Sequence, residues 1–319
     1  MSVNPCPLCG SPDGALIRAL PFAAIWRQLE EQHGARFSPE RIDQLTPAET
    51  TALLGCRSCG LQYFSPAIAG NGEFYRQLTT ADQAYYNAET WDFRCAIACA
   101  PTDSRLLDVA CGGGAFLTYA QRHGLRAQGI DTNPAAIAQA CAAGLTAELV
   151  DLEPFSQAHA GCFDLVTAFQ VLEHLEAVVP FTQQAARCLR PGGRLLISVP
   201  NRHRLWRQSD EPLDCPPHHL SRWARPQFAQ LVKRCGLELQ AVYFEPASAL
   251  DLLAPLQRRR QRSAATAPAS AVTETKATPA QRAWLAEVST PLRRPSQLLA
   301  RLGLRRLGML AELVVPTHR

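Results

Sequence analysis

Between residues 105 and 244 short apolar runs alternate with stretches of helical period. The runs are Arg105–Ala110, Ala127–Asp131, Ala147–Val150, Phe163–Phe169, Arg194–Val199 and Leu237–Phe244. The stretches at 115–122, 134–143, 179–189 and 226–235 bring apolar residues back every three or four positions. Strands separated by helices at this spacing predict an α/β fold, a parallel sheet with helices on both faces.

The flanking segments read differently. Residues 21–31 (PFAAIWRQLEE) have helical spacing, and Ser38-Pro39 and Thr46-Pro47 each set a capping residue before a proline. Thr46-x-x-Glu49 adds a capping box, so a second short helix is expected there, ended by Gly55. Residues 70–100 are helical and aromatic. At 258–282 the chain turns poor in large apolar residues and reads as a flexible segment; 283–308 regain a Leu/Arg-rich helical pattern, and 309–315 predict a last strand.

The length, 319 residues, suits two domains or one with an appendage, and a hydrophobic fraction of 47% with 19% charged residues excludes a largely disordered chain. No apolar run is long enough to span a membrane. The first residues, MSVNPCPLCG, lack a basic stretch leading into an apolar one, so no secretory leader is expected and the cytoplasm is the expected compartment. A net charge of +4 does not by itself imply nucleic acid. Of twelve cysteines, four form two close pairs and the rest lie singly in apolar or helical surroundings, as buried thiols of a reducing compartment do.

The first chemical signal is the run Asp108-Val109-Ala110-Cys111-Gly112-Gly113-Gly114, which leaves a strand and opens a helix. Glycines there let a ligand approach the backbone, and the helix start favours negative groups. A nicotinamide loop would need a third glycine where Leu117 stands. The run resembles D-x-G-x-G-x-G of class I S-adenosylmethionine-dependent methyltransferases, with Ala110 in place of the first glycine. Four later stations match that family in order: Gly129-Ile130-Asp131, Val150-Asp151-Leu152, Phe163–Leu175 and the turn Leu189–Leu195. The resemblance covers roughly residues 80–245. It implies a Rossmann-like seven-stranded sheet and S-adenosyl-L-methionine as cofactor. Asp108, Ala110, Gly112, Gly114 and Gln170 would lie along the cofactor, Asp131 would hold its ribose, and Asp151 with Leu152 its adenine. As plain structure, Asp131 and Asp151 would be helix caps, and Glu173 and His174 surface residues of a helix start.

Cys6-x-x-Cys9-Gly10 and Cys56-x-x-Cys59-Gly60 are two matching knuckles, able to aim four thiolates at one structural Zn²⁺ in a closed tetrahedral site. The 46 residues between them exceed ribbon spacing, so a helical insert must bulge out of a small zinc-ribbon-like module. With the segment CGLQYFSP, the combination resembles bacterial sugar C-methyltransferases and relatives tied to polysaccharide and secondary-metabolite pathways.

The third signal follows the fifth strand of the alternation: Leu213-Asp214-Cys215-Pro216-Pro217-His218-His219-Leu220-Ser221-Arg222-Trp223. In an α/β sheet such a loop reaches over the strand C-termini, where ligands bind. His218 or His219, with His174, is the expected base or orienter for the methyl acceptor, and Tyr86 and Glu173 are expected to line the substrate side. In an extended segment adjacent histidines point opposite ways, so only one should matter. The plain alternative is that both merely fasten the loop.

The expected organisation is a zinc-binding module at 1–69, a methyltransferase domain at 70–250, a basic linker with a Leu/Arg-rich helical appendage at 251–308, and a last strand and tail at 309–319. The expected reaction is in-line methyl transfer to a small molecule, sugar, or glycan- or lipid-linked acceptor. Two alternatives stay open: an RNA methyltransferase gripping phosphates with the zinc module and arginines, and a non-catalytic zinc-module interaction protein. The absence of a [DNS]-P-P-[YFW] motif, where Phe169-Gln170-Val171-Leu172 stands, argues against methylating base amines. The basic C-terminal helix could also touch the inner membrane face.

Overall fold

The computed structural model describes residues 4–81, 89–204, 211–246 and 305–317. Residues up to 202, 208–243 and from 308 onward form one compact unit; 203–207 and 244–307 form a second, most of which lies outside the described residues.

In chain order the strands are β1 (Gly14–Pro21), β2 (Thr50–Cys56), β3 (Gln62–Ser65), β4 (Arg105–Val109), β5 (Arg126–Asp131), β6 (Ala147–Leu149), β7 (Phe163–Phe169), β8 (Leu189–Pro200), β9 (Ser221–Arg222), β10 (Glu238–Pro246) and β11 (Arg305–Val314). The helices are α1 (Phe22–His33), α2 (Pro39–Leu45), α3 (Gly72–Ala81), α4 (Trp91–Cys99), α5 (Ala115–Arg122), α6 (Pro134–Ala142), α7 (Leu152–Ala158), α8 (Val178–Arg187) and α9 (Arg225–Cys235).

A seven-stranded sheet of order β10-β11-β8-β7-β4-β5-β6 forms the body. β4, β5, β6, β7 and β8 pair in parallel, and β11 returns antiparallel to β8, Met309 opposite Val199. The order reverses at β4, whose neighbours are β5 and β7, so the carboxyl ends of these three strands bound the crevice where α/β sheets bind ligands. The central strands are buried on both sides: Leu165, Leu196 and Leu310 join Phe93 and Phe116, from α4 and α5, in one core cluster.

A second sheet, β1-β2-β3-β9, was not foreseen. The capping box at Thr46-x-x-Glu49 does not start a helix; Thr50–Cys56 is β2, held antiparallel between β1 and β3, and Gly55 lies inside it rather than ending a helix. Pairing on two sides outweighs a four-residue capping signal. The two helices expected from Pro21 and Ser38 do form, the second with Ser38 capping Arg41, and their apolar faces pack Phe22, Ile25, Trp26, Leu29 and Leu45 against Phe64 and Phe74. The final strand starts at Arg305, so residues 305–308, expected as helix, are extended. Helix α7 was also not foreseen.

β9 belongs to the loop after β8 yet completes the N-terminal sheet, Tyr63 opposite Ser221 and Gln62 opposite Arg222. The Phe64 amide donates to the Leu220 carbonyl at 3.0 Å and the Gly70 amide to the Pro217 carbonyl at 2.7 Å. Gln227 in α9 and Arg202 after β8 donate to the carbonyls of Cys59 and Gly60.

Candidate functional site

At the switch point β4 ends in Val109 and the chain turns through Ala110, at φ +59°, and Gly112, at φ +54°. Gly114, at φ +84°, is the N-cap of α5, and a Cβ there would lie 2.3 Å from Leu145. Gly112 differs in kind: a Cβ on it meets nothing within 4 Å, so its Cα face is open. Ala110 is exposed but adopts a left-handed backbone without glycine's freedom.

Asp131, at the end of β5, ties this loop to the neighbouring strand. One carboxylate oxygen accepts from the Gly112 amide at 2.8 Å and the other from the Asn133 amide at 2.8 Å. It is more than the helix cap that plain structure would make it, since Asn133 caps α6. Asp151 does occupy the N-cap position of α7, but it is exposed and makes no capping bond; Leu152 beside it is half-buried. The Val150 amide, one residue before Asp151, donates to the Asp131 carbonyl at 3.2 Å.

Asp108 faces inward. It is 3% exposed and accepts from the Thr167 hydroxyl at 2.7 Å; burial pushes its carboxyl up to about 7, against a bond from Thr167 that lowers it. Its part in the site is therefore support for the loop, not an open contact. Gln170, exposed at φ +55° beyond β7, donates to the Ser198 hydroxyl at 3.0 Å. Ser198 in turn donates to buried Asp92 of α4 at 2.7 Å, and Thr90 donates to the same carboxylate. This chain of contacts ties the end of β7 to β8 and α4.

Beyond the ends of β7 and β8 three imidazoles meet. His174 lies in a single 3-10 turn, Leu172–His174, and His218 and His219 in the turn after β8. Ring centroids are 4.8 Å apart for His174–His218 and His174–His219 and 4.3 Å for His218–His219. The adjacent pair does not alternate. Both their amides donate to the Cys215 carbonyl, so the segment is a turn and both rings enter one cluster, correcting the expectation that only one could. His218 and His219 are 5% and 7% exposed, whereas the His174 side chain is 18% exposed and forms the open edge.

Each ring has a second-side partner. His218 Nδ1 lies 2.7 Å from the Leu213 carbonyl and His174 Nδ1 2.6 Å from the His218 carbonyl, with Tyr75 Oη 2.9 Å from the same nitrogen. His219 Nδ1 is 3.6 Å from an Asp214 oxygen. Burial drives the His174 imidazole down to about 3 and His218 well below the usual range, with charge on His219 adding to both. Glu173 Oε1 lies 3.7 Å from His174 Nε2 and 3.9 Å from His219 Nε2. It is 1% exposed, neither oxygen has a hydrogen-bond partner, and burial raises its carboxyl to about 8.

The two cysteine knuckles share one backbone pattern. Gly10 and Gly60, both at φ +72°, donate their amides to the carbonyls of Cys6 and Cys56 at 2.8 Å. Sulfurs pair at 3.5 Å for Cys6–Cys59 and 3.4 Å for Cys9–Cys56, and all four lie within 4.8 Å of one another with no disulfide. A tetrahedral zinc with bonds of about 2.3 Å holds thiolates roughly 3.8 Å apart, so the donor set fits that ion. The Cys215 thiol, outside the histidine group, sits in an apolar cluster, accepting from Arg222 and donating to the Glu211 carbonyl.

The structure thus brings His174, His218, His219 and Glu173 together, and Ala110, Gly112, Gly114 and Asp131 together. Tyr86 and the basic residues at 258–262 and 293–301 lie outside the described residues. Of the neighbouring aromatics, Phe93 is core and Trp91 packs against it. Asp92, Ser198, Tyr75 and Asp214 were missed; Asp214 carried a signal, an acid four residues before the histidine pair, while the others depend on partners far away in sequence.

The family model described as a methyltransferase domain matches residues 81–242. The ubiquinone biosynthesis O-methyltransferase of Pectobacterium atrosepticum is 33% identical over 105 residues, 31% of this chain and 44% of that protein. Its counterpart in Xanthomonas oryzae pv. oryzae is 35% identical over 105 residues, with the same shares of 31% and 44%. The chain spans less than half the length of these curated relatives. Among solved structures, a SAM-dependent methyltransferase from Archaeoglobus fulgidus aligns with a TM-score of 0.48 at 18% identity, over 70% of this chain and 91% of that one. Among the described residues no helix is long and apolar enough to cross a membrane. The family match begins ahead of α4 and runs into β10, taking in the glycine loop, the strand-end carboxylates and the imidazole turn, and on that extent the chain belongs to the methyltransferase-domain family.

Proposed function

We propose that the chain is a class I S-adenosylmethionine-dependent methyltransferase acting on a small hydroxylated acceptor. The observation that carries it is the pairing of an open, left-handed Gly112 with the Asp131 carboxylate across the switch point. Asp131 has lone pairs left to accept ribose hydroxyls, exposed Asp151 stands at the adenine side, and the Gly112–Gly114 backbone lies along the methionine part. S-adenosylmethionine, when bound, supplies an electrophilic methyl carbon. The protein's task is then to align the acceptor with that carbon and remove its proton, largely a matter of proximity. The cluster of His174, His218, His219 and Glu173 is the polar lining on the acceptor side, open at His174. The names of the ubiquinone-pathway relatives support an oxygen acceptor of small-molecule size.

The four cysteines hold one structural zinc in this reading, a closed site without a position for substrate. The test is transfer of labelled methyl from S-adenosylmethionine to fractionated cell extracts. Label in the small-molecule, glycan or lipid fraction supports the reading; label in RNA alone, or in none with cofactor binding absent, overturns it.

A further inference from the structure

We propose that His174, His218 and His219, with the Glu173 carboxyl beside them, form a second metal site, built for one divalent transition ion of the zinc type. One ring nitrogen from each of the three histidines lies within 4.8 Å of those of the others. Imidazole and carboxylate together suit borderline ions such as Zn²⁺ rather than Mg²⁺ or Ca²⁺, which favour all-oxygen sites.

Two independent features point the same way. The first is how the rings are held. A histidine that binds a metal through one nitrogen almost always gives the N–H of the other to a carbonyl or carboxylate. His174 Nδ1 has the His218 carbonyl at 2.6 Å, and His218 Nδ1 has the Leu213 carbonyl at 2.7 Å. His219 Nδ1 faces Asp214 at 3.6 Å. His174 and His218 are therefore each held by a carbonyl at Nδ1, as metal-ligating imidazoles are, and a metal would take the opposite, Nε2, side. The second feature is Glu173. Its carboxyl group is 1% exposed and neither oxygen has a hydrogen-bond donor, although Oε1 faces the Nε2 atoms of His174 and His219 at 3.7 and 3.9 Å. Burying an unsatisfied carboxyl is unfavourable, and a cation among these atoms would satisfy it. Bonds of about 2.1 Å would draw the nitrogens to roughly 3.4 Å apart.

The ion would fasten the loop after β8 to the end of β7. It rests on the acceptor-side reading only for its use, as a charge near the acceptor oxygen, and not for its binding.

Metal-free full-length protein is titrated with Co²⁺, and absorbance separates the two sites. Cobalt on the four cysteines gives an intense sulfur-to-metal charge-transfer band; cobalt on imidazole and carboxylate gives only weaker ligand-field bands. The expected result is an ion of the second spectral type in the wild type. Glu173→Gln keeps the shape and removes the charge, and should weaken that ion about 10–100-fold while leaving the thiolate band intact. His219→Ala should abolish it. Saturation with thiolate-type absorbance alone overturns the proposal, as does unchanged affinity of the second ion in Glu173→Gln. Calorimetry with S-adenosylhomocysteine on the same samples reports the cofactor site separately, so failure of the metal site and failure of the methyltransferase reading are told apart.

Discussion

Replacing Asp131 by alanine should weaken cofactor binding and loosen the loop at once, by amounts the geometry separates. The carboxylate accepts two backbone amides, Gly112 and Asn133, each at 2.8 Å. Bonds to a charged acceptor contribute about 1.5–3 kcal/mol apiece, but the residue is half-buried and water takes over part of the role. A stability loss of about 1–2 kcal/mol follows, a fall in melting temperature of roughly 2–8 °C for a domain of this size. Losing the ribose contacts should cost a further 2–3 kcal/mol in affinity, about 30–150-fold. Asp131→Asn keeps one acceptor oxygen for the two backbone amides and sets an NH₂ donor against the other, so its melting temperature should fall as well as its affinity, the affinity by less than in the alanine variant. Calorimetry with S-adenosylhomocysteine and a thermal melt on all three proteins decide the matter. An alanine variant that binds within threefold of wild type would refute the assignment of Asp131 to the ribose, whatever happens to its stability.

Ala110→Gly should stabilise the protein by about 0.5–1 kcal/mol, because relief of a left-handed alanine, about 1–2 kcal/mol, exceeds glycine's extra unfolded-state entropy; a lower denaturant midpoint would contradict this. Asp108 has a raised folded-state value, about 7 against an ordinary 3.8, so the folded state favours the protonated acid and stability is lost as pH rises through this window, by up to about 4 kcal/mol between pH 4 and 8. Asp108→Asn keeps an acceptor for Thr167 and should lack that fall, and urea midpoints of both proteins at pH 5 and 8 that move in parallel would disprove it. Cys6→Ser should lower zinc content by about one ion per chain and the melting temperature with it, since binding energy of a structural zinc is folding energy; undiminished zinc by elemental analysis would remove the four-cysteine assignment. His219→Ala should cut turnover by roughly 10²–10⁴ with cofactor affinity nearly intact; normal turnover with only a lowered melting temperature would leave the histidines as loop fasteners.

The large sheet was legible because its central strands carry short apolar runs bounded by turns, and the periodicity changes to helical between them. Parallel strands buried on both faces write themselves as continuous hydrophobic segments, as Phe163–Phe169 does. The N-terminal sheet was not legible. β1 is an edge strand whose residues are mostly exposed, Leu16 at 65% and Ile17 at 49% among them, so it shows no alternation to read. β2 was masked by the capping signal before it, and β9 is two residues long. In the site, strand-end carboxylates could be placed because strand ends are predictable. The direction of two adjacent imidazoles could not, since it depends on a turn hinged at Cys215. Nor could Asp92 be paired with Ser198, 106 positions away.

The pairing of β3 with β9 bears on how this chain could be cut, or could have been assembled in evolution. A protein begun at residue 70 would retain every strand of the seven-stranded sheet and the whole glycine loop. It would nonetheless strip β9 of its neighbour and remove the Phe64 amide from the Leu220 carbonyl, one residue past the histidine pair. The cysteine knuckles are therefore not a bead to be swapped between methyltransferases. They anchor one end of a strand ladder whose other end carries the imidazoles, and a foreign catalytic half grafted behind them would need its own matching rung.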